Sequence, residues 1–201
     1  MLTYDSLQAY PKEALPDLIP TLDSTDIDQL VAWLVEKEDN FRYKCFLLLE
    51  GRSRQYADVY PHWDILVDKL GSANSYQRSI GLMLIAENAR WDDAGRFEQI
   101  LDRYLSYCDD EKPVTVRQCI QGLTKIVPVK PNCLSRIADR LFSIDLMQRK
   151  ETQRKILLLD ILSVLIQINR LQHDGRIDHY VQNALTGGIL DNKSKRLVES
   201  L

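Results

Sequence analysis

Apolar residues recur at intervals of three and four along most of the chain, the spacing that lines one face of an α-helix. Leu30, Trp33 and Leu34 begin the series, followed by Leu66, Val67 and Leu70, then by Phe97, Ile100, Leu101, Tyr104 and Leu105. The pattern returns through Leu134, Ile137 and Leu141, and again through Ile177, Val181, Ala184 and Leu185. After each stretch come a polar turn, an arginine and a second apolar run. The arginines are Arg42, Arg78, Arg117, Arg154 and Arg196, separated by 36, 39, 37 and 42 residues. No period-two alternation competes with this pattern. The chain therefore predicts an all-α fold of about five helical hairpins after an N-terminal lead-in.

Punctuation residues agree with that division. Ser24, Thr25 and Asp26 stand before the first amphipathic run as N-cap candidates, with Asp28 placed to favour the positive helix end. Pro61 and Pro131 lie near the starts of first helices and Pro113 near the start of the third arginine helix, where a missing N–H costs little. Gly51, Gly71, Gly187 and Gly188 read as C-caps. Pro11, Pro16 and Pro20 restrict the first 22 residues to a short helix and an extended run. The expected organisation is a lead-in over residues 1–25 and one helical-repeat domain over residues 26–201.

A hairpin of this size cannot bury its apolar face alone, and stacked neighbours complete the core. The two-helix unit, its period and the arginine early in the second helix resemble HEAT and armadillo-type repeats over roughly residues 26–200. Val116, Arg117, Cys119, Gly122, Leu123 and Ile126 carry the resemblance best. Family repeats often hold an Asp two residues before the arginine; here those places hold Asn40, Tyr76, Thr115 and Thr152. The proline of the family's first helix is also missing. The resemblance implies a right-handed α–α superhelix, a solenoid whose second helices line a concave surface. It implies no particular activity, and a protein-interaction scaffold is the expected role. Partner-facing positions are then expected one residue after each arginine, at Tyr43, Ser79, Gln118 and Lys155. A second set is expected eight residues after, at Glu50, Ala86, Lys125 and Leu162.

The arginines Arg42, Arg78, Arg117 and Arg154 are expected to form a structural ladder. Each guanidinium fork would bond carboxylates or loop carbonyls and tie one hairpin to the next. Asp160 breaks its surroundings, because it sits within the most apolar helix of the chain, KILLLDILSVLIQI. An unpaired buried carboxylate is costly, so Asp160 must pair with a cation of an adjacent repeat, face the groove or serve a site. A groove carboxylate beside aromatics resembles the DNA alkylation-repair glycosylases, also built of HEAT-like hairpins. That family's Trp, Asp and Arg set does not map onto this chain.

Charge is uneven although the net value is only −3. Residues 1–40 sum to −7 and residues 112–155 to +7. The basic segment gives the alternative reading, a nucleic-acid-binding or base-repair module. Its single aromatic residue, Phe142, counts against base stacking. No nucleophile, phosphate-loop, dinucleotide or zinc-protease motif occurs, so no catalytic residue and no cofactor is expected. His173 and His179 are six apart rather than four, and no metal site is expected. Cys45, Cys108, Cys119 and Cys133 form no CxxC pair. They read as reduced, mostly buried thiols of a cytoplasmic protein. With no apolar run of about 18 residues and no signal-peptide pattern, no membrane partner is expected.

Overall fold

The computed structural model describes residues 1–201, which fold as twelve α-helices joined by short 3₁₀ turns, with no β-strand. Cα packing divides the chain into two compact units, Met1–Ala94 and Gly95–Leu201.

The first unit contains α1 (Tyr4–Ala9), α2 (Leu15–Leu18), α3 (Ser24–Trp33), α4 (Asp39–Ser53), α5 (Trp63–Lys69) and α6 (Ser75–Asn88). Helix α3 packs on α4 and α5 on α6, while α4 and α6 pack on each other. These are two hairpins joined through their second helices. Leu30, Leu34, Leu48, Leu49, Trp63, Leu66 and Leu84 fill the interior. Asp23, rather than any of Ser24, Thr25 or Asp26, is the N-cap of α3. Its carboxylate accepts from Asp26 N, and Asp26 returns the bond to Asp23 N. The reciprocal bond satisfies two donors at once, which a cap further along would not.

The N-terminal lead-in is not extended. Lys12–Ala14 and Ile19–Thr21 are 3₁₀ turns on either side of α2. Pro16 is the second residue of α2 and Pro20 the second of the following 3₁₀ turn, within the first turn of each, where no N–H is needed. Leu7, Leu15 and Leu22 are buried. Lys44 Nζ on α4 donates to the carbonyls of Leu7, Gln8 and Tyr10 at 3.2, 2.7 and 2.7 Å, capping the C-terminal end of α1. Gly51 is not a C-cap either. It lies inside α4, and a Cβ there would clash with Ile19 Cδ1. The missing side chain lets the second 3₁₀ turn lie against the helix.

The second unit contains α7 (Arg96–Ser106), α8 (Pro113–Ile126), α9 (Leu134–Phe142), α10 (Glu151–Leu171), α11 (Gly175–Thr186) and α12 (Asn192–Glu199). Helix α10 is its centre, packed against α8, α9, α11 and α12. Leu101, Tyr104, Ile120, Leu123, Ile137, Leu141, Ile161 and Leu165 are fully buried. Helix α7 starts at Gly95, whose φ of 69° lies in the left-handed region that favours glycine. Gly187 ends α11 with extended backbone, so no left-handed cap forms there.

Candidate partner-binding surface

Three arginines make the same bond. Arg42 Nη1 donates to Glu36 O at 2.7 Å, Arg78 Nη1 to Ser72 O and Ala73 O at 3.0 Å, and Arg154 to Arg149 O and Met147 O at 3.0 Å. Each guanidinium thus closes the loop that leads into its own helix. All three stand four residues after the N-cap (Glu38, Asn74 and Lys150). Arg117 stands five after its N-cap, Lys112. One residue turns a side chain by about 100° around a helix, so Arg117 misses its loop and faces α10. There Nε meets Asp160 Oδ2 at 2.7 Å and Nη2 meets Oδ1 at 3.3 Å, while Gln121 Nε2 donates to Oδ1 at 3.0 Å. Asp160 is therefore the acceptor of a side-chain bridge between α8 and α10.

A second set of ties was not legible in the sequence. Successive first helices are joined by an acid on one and a base at the start of the next: Asp28 with His62 at 3.1 Å, Asp102 with Arg136, and Asp139 with Arg176 at 2.8 Å. The constant partner spacing of 34 to 37 residues was the available signal.

The cations of residues 112–155 are largely engaged. Lys130 meets Glu98, Arg136 meets Asp102, Arg140 and Arg149 both meet Asp109, and Lys155 meets Asp191. Arg117 and Arg154 are bonded as described. A duplex would have to compete with these acids for the cations that a phosphate contact requires. Beside them, an open cleft of about 250 Å³ is lined by Arg117, Lys150, Ile156 and Leu157 among others.

Of the expected partner-facing residues, Tyr43 is exposed on α4, Gln118 and Lys125 are half-buried on α8, and Lys155 is exposed on α10. Glu50 is mostly covered and pairs with Arg54, which also bonds Glu87 Oε1 at 3.0 Å. Ser79, Ala86 and Leu162 are buried, contrary to the expectation that they lie at the surface. The positions one and eight after the arginine share a helix face that turns into the core in α6, and its eighth position does so in α10.

The open surface of the first unit lies elsewhere. Between α4 and α6 runs a groove of about 240 Å³ walled by Tyr43, Phe46, Tyr76, Ile80 and Met83. Also on α4, a groove of about 520 Å³ is walled by Tyr10, Pro11, Phe41 and Tyr43. Tyr43 lines both. It is 46% exposed and stacks on Phe46, with ring centroids 6.1 Å apart, and Tyr76 is 65% exposed. Asp39 flanks Tyr43 with its carboxylate outward. Sequence reasoning found Tyr43 and missed Tyr76, which occupies the place where the resembled family often has Asp and whose exposure no sequence signal announced.

All four cysteines are buried, burial pushes the Cys45 thiol up to about 12, and it holds the Cys119 thiol well above its usual range. Cys108 Sγ and Cys119 Sγ lie 3.7 Å apart. No helix is long and apolar enough to cross a membrane. Compared with family models, with curated proteins and with solved structures, the chain matches none.

Proposed function

We propose that the hairpins are HEAT-like repeats of an α–α solenoid and that the chain is a protein-interaction scaffold. The repeated arginine-to-loop bond in α4, α6 and α10 and the repeated acid–base tie between first helices support the repeat reading. The observation that carries the interaction reading is the tyrosine-walled surface on α4 and α6. Tyrosines offer large, rigid contact area with a polar tip, and they are enriched among residues that dominate binding energy. Two of them standing 46% and 65% exposed over an apolar floor form such a patch.

A photo-cross-linking amino acid at position 76 tests this in the native cell, with the same group at Asp68, exposed on α5, as the control. The expected result is one discrete cross-linked partner from position 76, none from position 68, and loss of the product when Tyr43→Ala is added. Equal capture from both positions, or capture indifferent to Tyr43, would overturn the reading.

A further inference from the structure

Two thiols of the second unit lie in contact, and neither the repeat bonds nor the tyrosine surface uses them. Cys108 sits in the 3₁₀ turn Tyr107–Asp109 that continues α7, and Cys119 faces it from inside α8. We propose that Cys108 and Cys119 form a redox-sensitive pair, which a peroxide closes to a disulfide that locks the turn between α7 and α8.

Geometry is the first argument. The two sulfurs are 3.7 Å apart, and both residues are fully buried. A disulfide needs them at about 2.05 Å, a further approach that side-chain rotation and a small shift of a short turn can supply. The helices already hold the pair in register. Cys119 Sγ donates to Tyr104 O at 3.3 Å, and Tyr104 Oη donates to Cys119 O at 3.4 Å. The thiol hydrogen of Cys119 is therefore directed at α7, and the hydrogen between the sulfurs is that of Cys108. Losing the Cys119 hydrogen leaves no orphan, because Tyr104 O also accepts from Tyr107 N. Cys45 lies in the other unit, on α4, and Cys133 in the turn before α9.

The surroundings set the order of the chemistry. Burial, then the bond with Cys108, holds the Cys119 thiol well above its usual range, so the pair is quiet in the resting fold. Cys108, in a short turn at a helix end, is the sulfur that a transient opening exposes. Its sulfur attacks one peroxide oxygen, the O–O bond breaks, and Cys108 becomes a sulfenic acid as water leaves. When the turn closes, the Cys119 sulfur attacks the Cys108 sulfur. The S–S bond forms, the S–O bond breaks, and the Cys119 proton departs with the sulfenic oxygen as a second water. Two thiols and one peroxide thus give one disulfide and two waters. Proximity supplies the rate that a protonated Cys119 would otherwise lack.

The bond falls where several ties converge. The ring from Cys108 to Cys119 encloses Asp109, which holds both Arg140 and Arg149, and Cys108 O accepts from Arg149 Nη2 at 3.0 Å. Arg149 belongs to the loop that Arg154 closes ahead of α10. Fixing the turn therefore fixes the point to which α9 and the start of α10 are tied.

The test treats the folded 201-residue chain with excess hydrogen peroxide, alkylates the remaining thiols in urea and maps the unreduced peptides by mass spectrometry. Two of the four thiols should be lost, in a single link between Cys108 and Cys119 that dithiothreitol reverses. Cys45 and Cys133 should stay open to alkylation. The melting temperature should rise by about 5 °C, and amide exchange over residues 107–113 should slow. In Cys119→Ala, Cys108 should stop at a sulfenic acid that dimedone traps. In Cys108→Ala, Cys119 should stay reduced. Mapping of the natural chain decides the pairing even where a variant fails to fold. Four surviving thiols, links to Cys45 or Cys133, or a link that forms only in urea would overturn the pairing. A link that leaves melting temperature and exchange unchanged would overturn the lock.

Discussion

Arg117 on α8 holds Asp160 on α10 through two nitrogens, at 2.7 and 3.3 Å, in a bridge that Gln121 completes from one turn further along α8. Asp160 is 12% exposed at its side chain and Arg117 35%. The acid therefore depends on the base more than the base depends on the acid. Arg117→Ala should destabilise the fold by about 1–3 kcal/mol, near the lower end because the guanidinium is partly hydrated. Arg117→Met combined with Asp160→Leu should recover most of that loss, since an apolar pair of similar volume removes the desolvation cost of both charges. Urea denaturation of the two variants checks this. A double variant no more stable than Arg117→Ala would show that the charged pair carries no desolvation cost for an apolar pair to recover.

The same pair shows what was legible in the sequence. Apolar periodicity located all ten helices of the hairpins, because a 3.6-residue stripe is a property of the chain alone. Asp160 was marked by polarity in an apolar run, and a cation from a neighbouring repeat was among its expected partners. The direction of each arginine was not legible. Arg117 differs from Arg42, Arg78 and Arg154 by one residue relative to its N-cap, and the N-cap is fixed by backbone geometry that an apolar pattern leaves uncertain by that amount. Ser79, Ala86 and Leu162 are expected at the surface and found buried for another reason: the same helix phase faces outward at Tyr43 in α4 and inward at Ser79 in α6, and what packs on a face is not written in its own helix. Tyr76 stayed hidden because nothing in a single sequence distinguishes an exposed aromatic from a core one.

Two buried helical glycines should respond differently to alanine. At Gly81 a Cβ would meet Leu66 O at 2.9 Å, Lys69 Cβ at 3.1 Å and Leu70 Cδ2 at 3.2 Å. A backbone carbonyl cannot swing away, so α5 and α6 must separate, and Gly81→Ala should cost about 1–3 kcal/mol. At Gly51 the obstacle is the tip of the Ile19 side chain. That tip can rotate, and alanine gains about 1 kcal/mol of helix propensity over glycine. Gly51→Ala should be close to neutral. Thermal melts that rank Gly51→Ala as the more damaging would contradict the packing described for α5 on α6.

Helix α12 should loosen in acid before the rest of its unit. Asp191 is its N-cap, with Oδ1 accepting from Ser194 N at 2.8 Å and Oδ2 facing Lys155 Nζ at 3.0 Å. The bond from Ser194 N, then that from Lys155, holds its carboxyl well below the usual carboxylate range. A depressed folded pKa means the cap's contribution is complete above the unfolded value near 3.8 and is lost as pH falls through the folded one. Hydrogen-exchange protection over residues 192–199 should therefore drop between pH 5 and pH 2. In Asp191→Asn, which keeps a capping oxygen but cannot titrate, the drop should be smaller. Equal drops in both proteins would mean that another group controls the helix.

Lys69 makes stability rise with pH over a defined window. It is buried on α5, with Nζ donating to Gln77 Oε1 at 2.8 Å. Burial, and secondarily the positive charge of Arg42, lower its pKa from 10.5 to about 8. Below about 8 the amine is charged in both folded and unfolded chains, and the fold carries the full cost of holding that charge in its interior. Between about 8 and 10.5 the folded chain has released a proton that the unfolded chain still binds, so stability increases with pH. The whole window is worth about 3 kcal/mol at roughly 1.4 kcal/mol per unit. Lys69→Met keeps the stem packed and cannot titrate. Denaturation midpoints of the two proteins should therefore diverge least at pH 10 and most at pH 7, with the natural chain gaining on the variant as pH rises. Comparison with the variant also cancels the tyrosines and cysteines that titrate in the same range. Parallel pH profiles would show that Lys69 is solvated in the folded chain, and that its bond to Gln77 is made at no electrostatic cost.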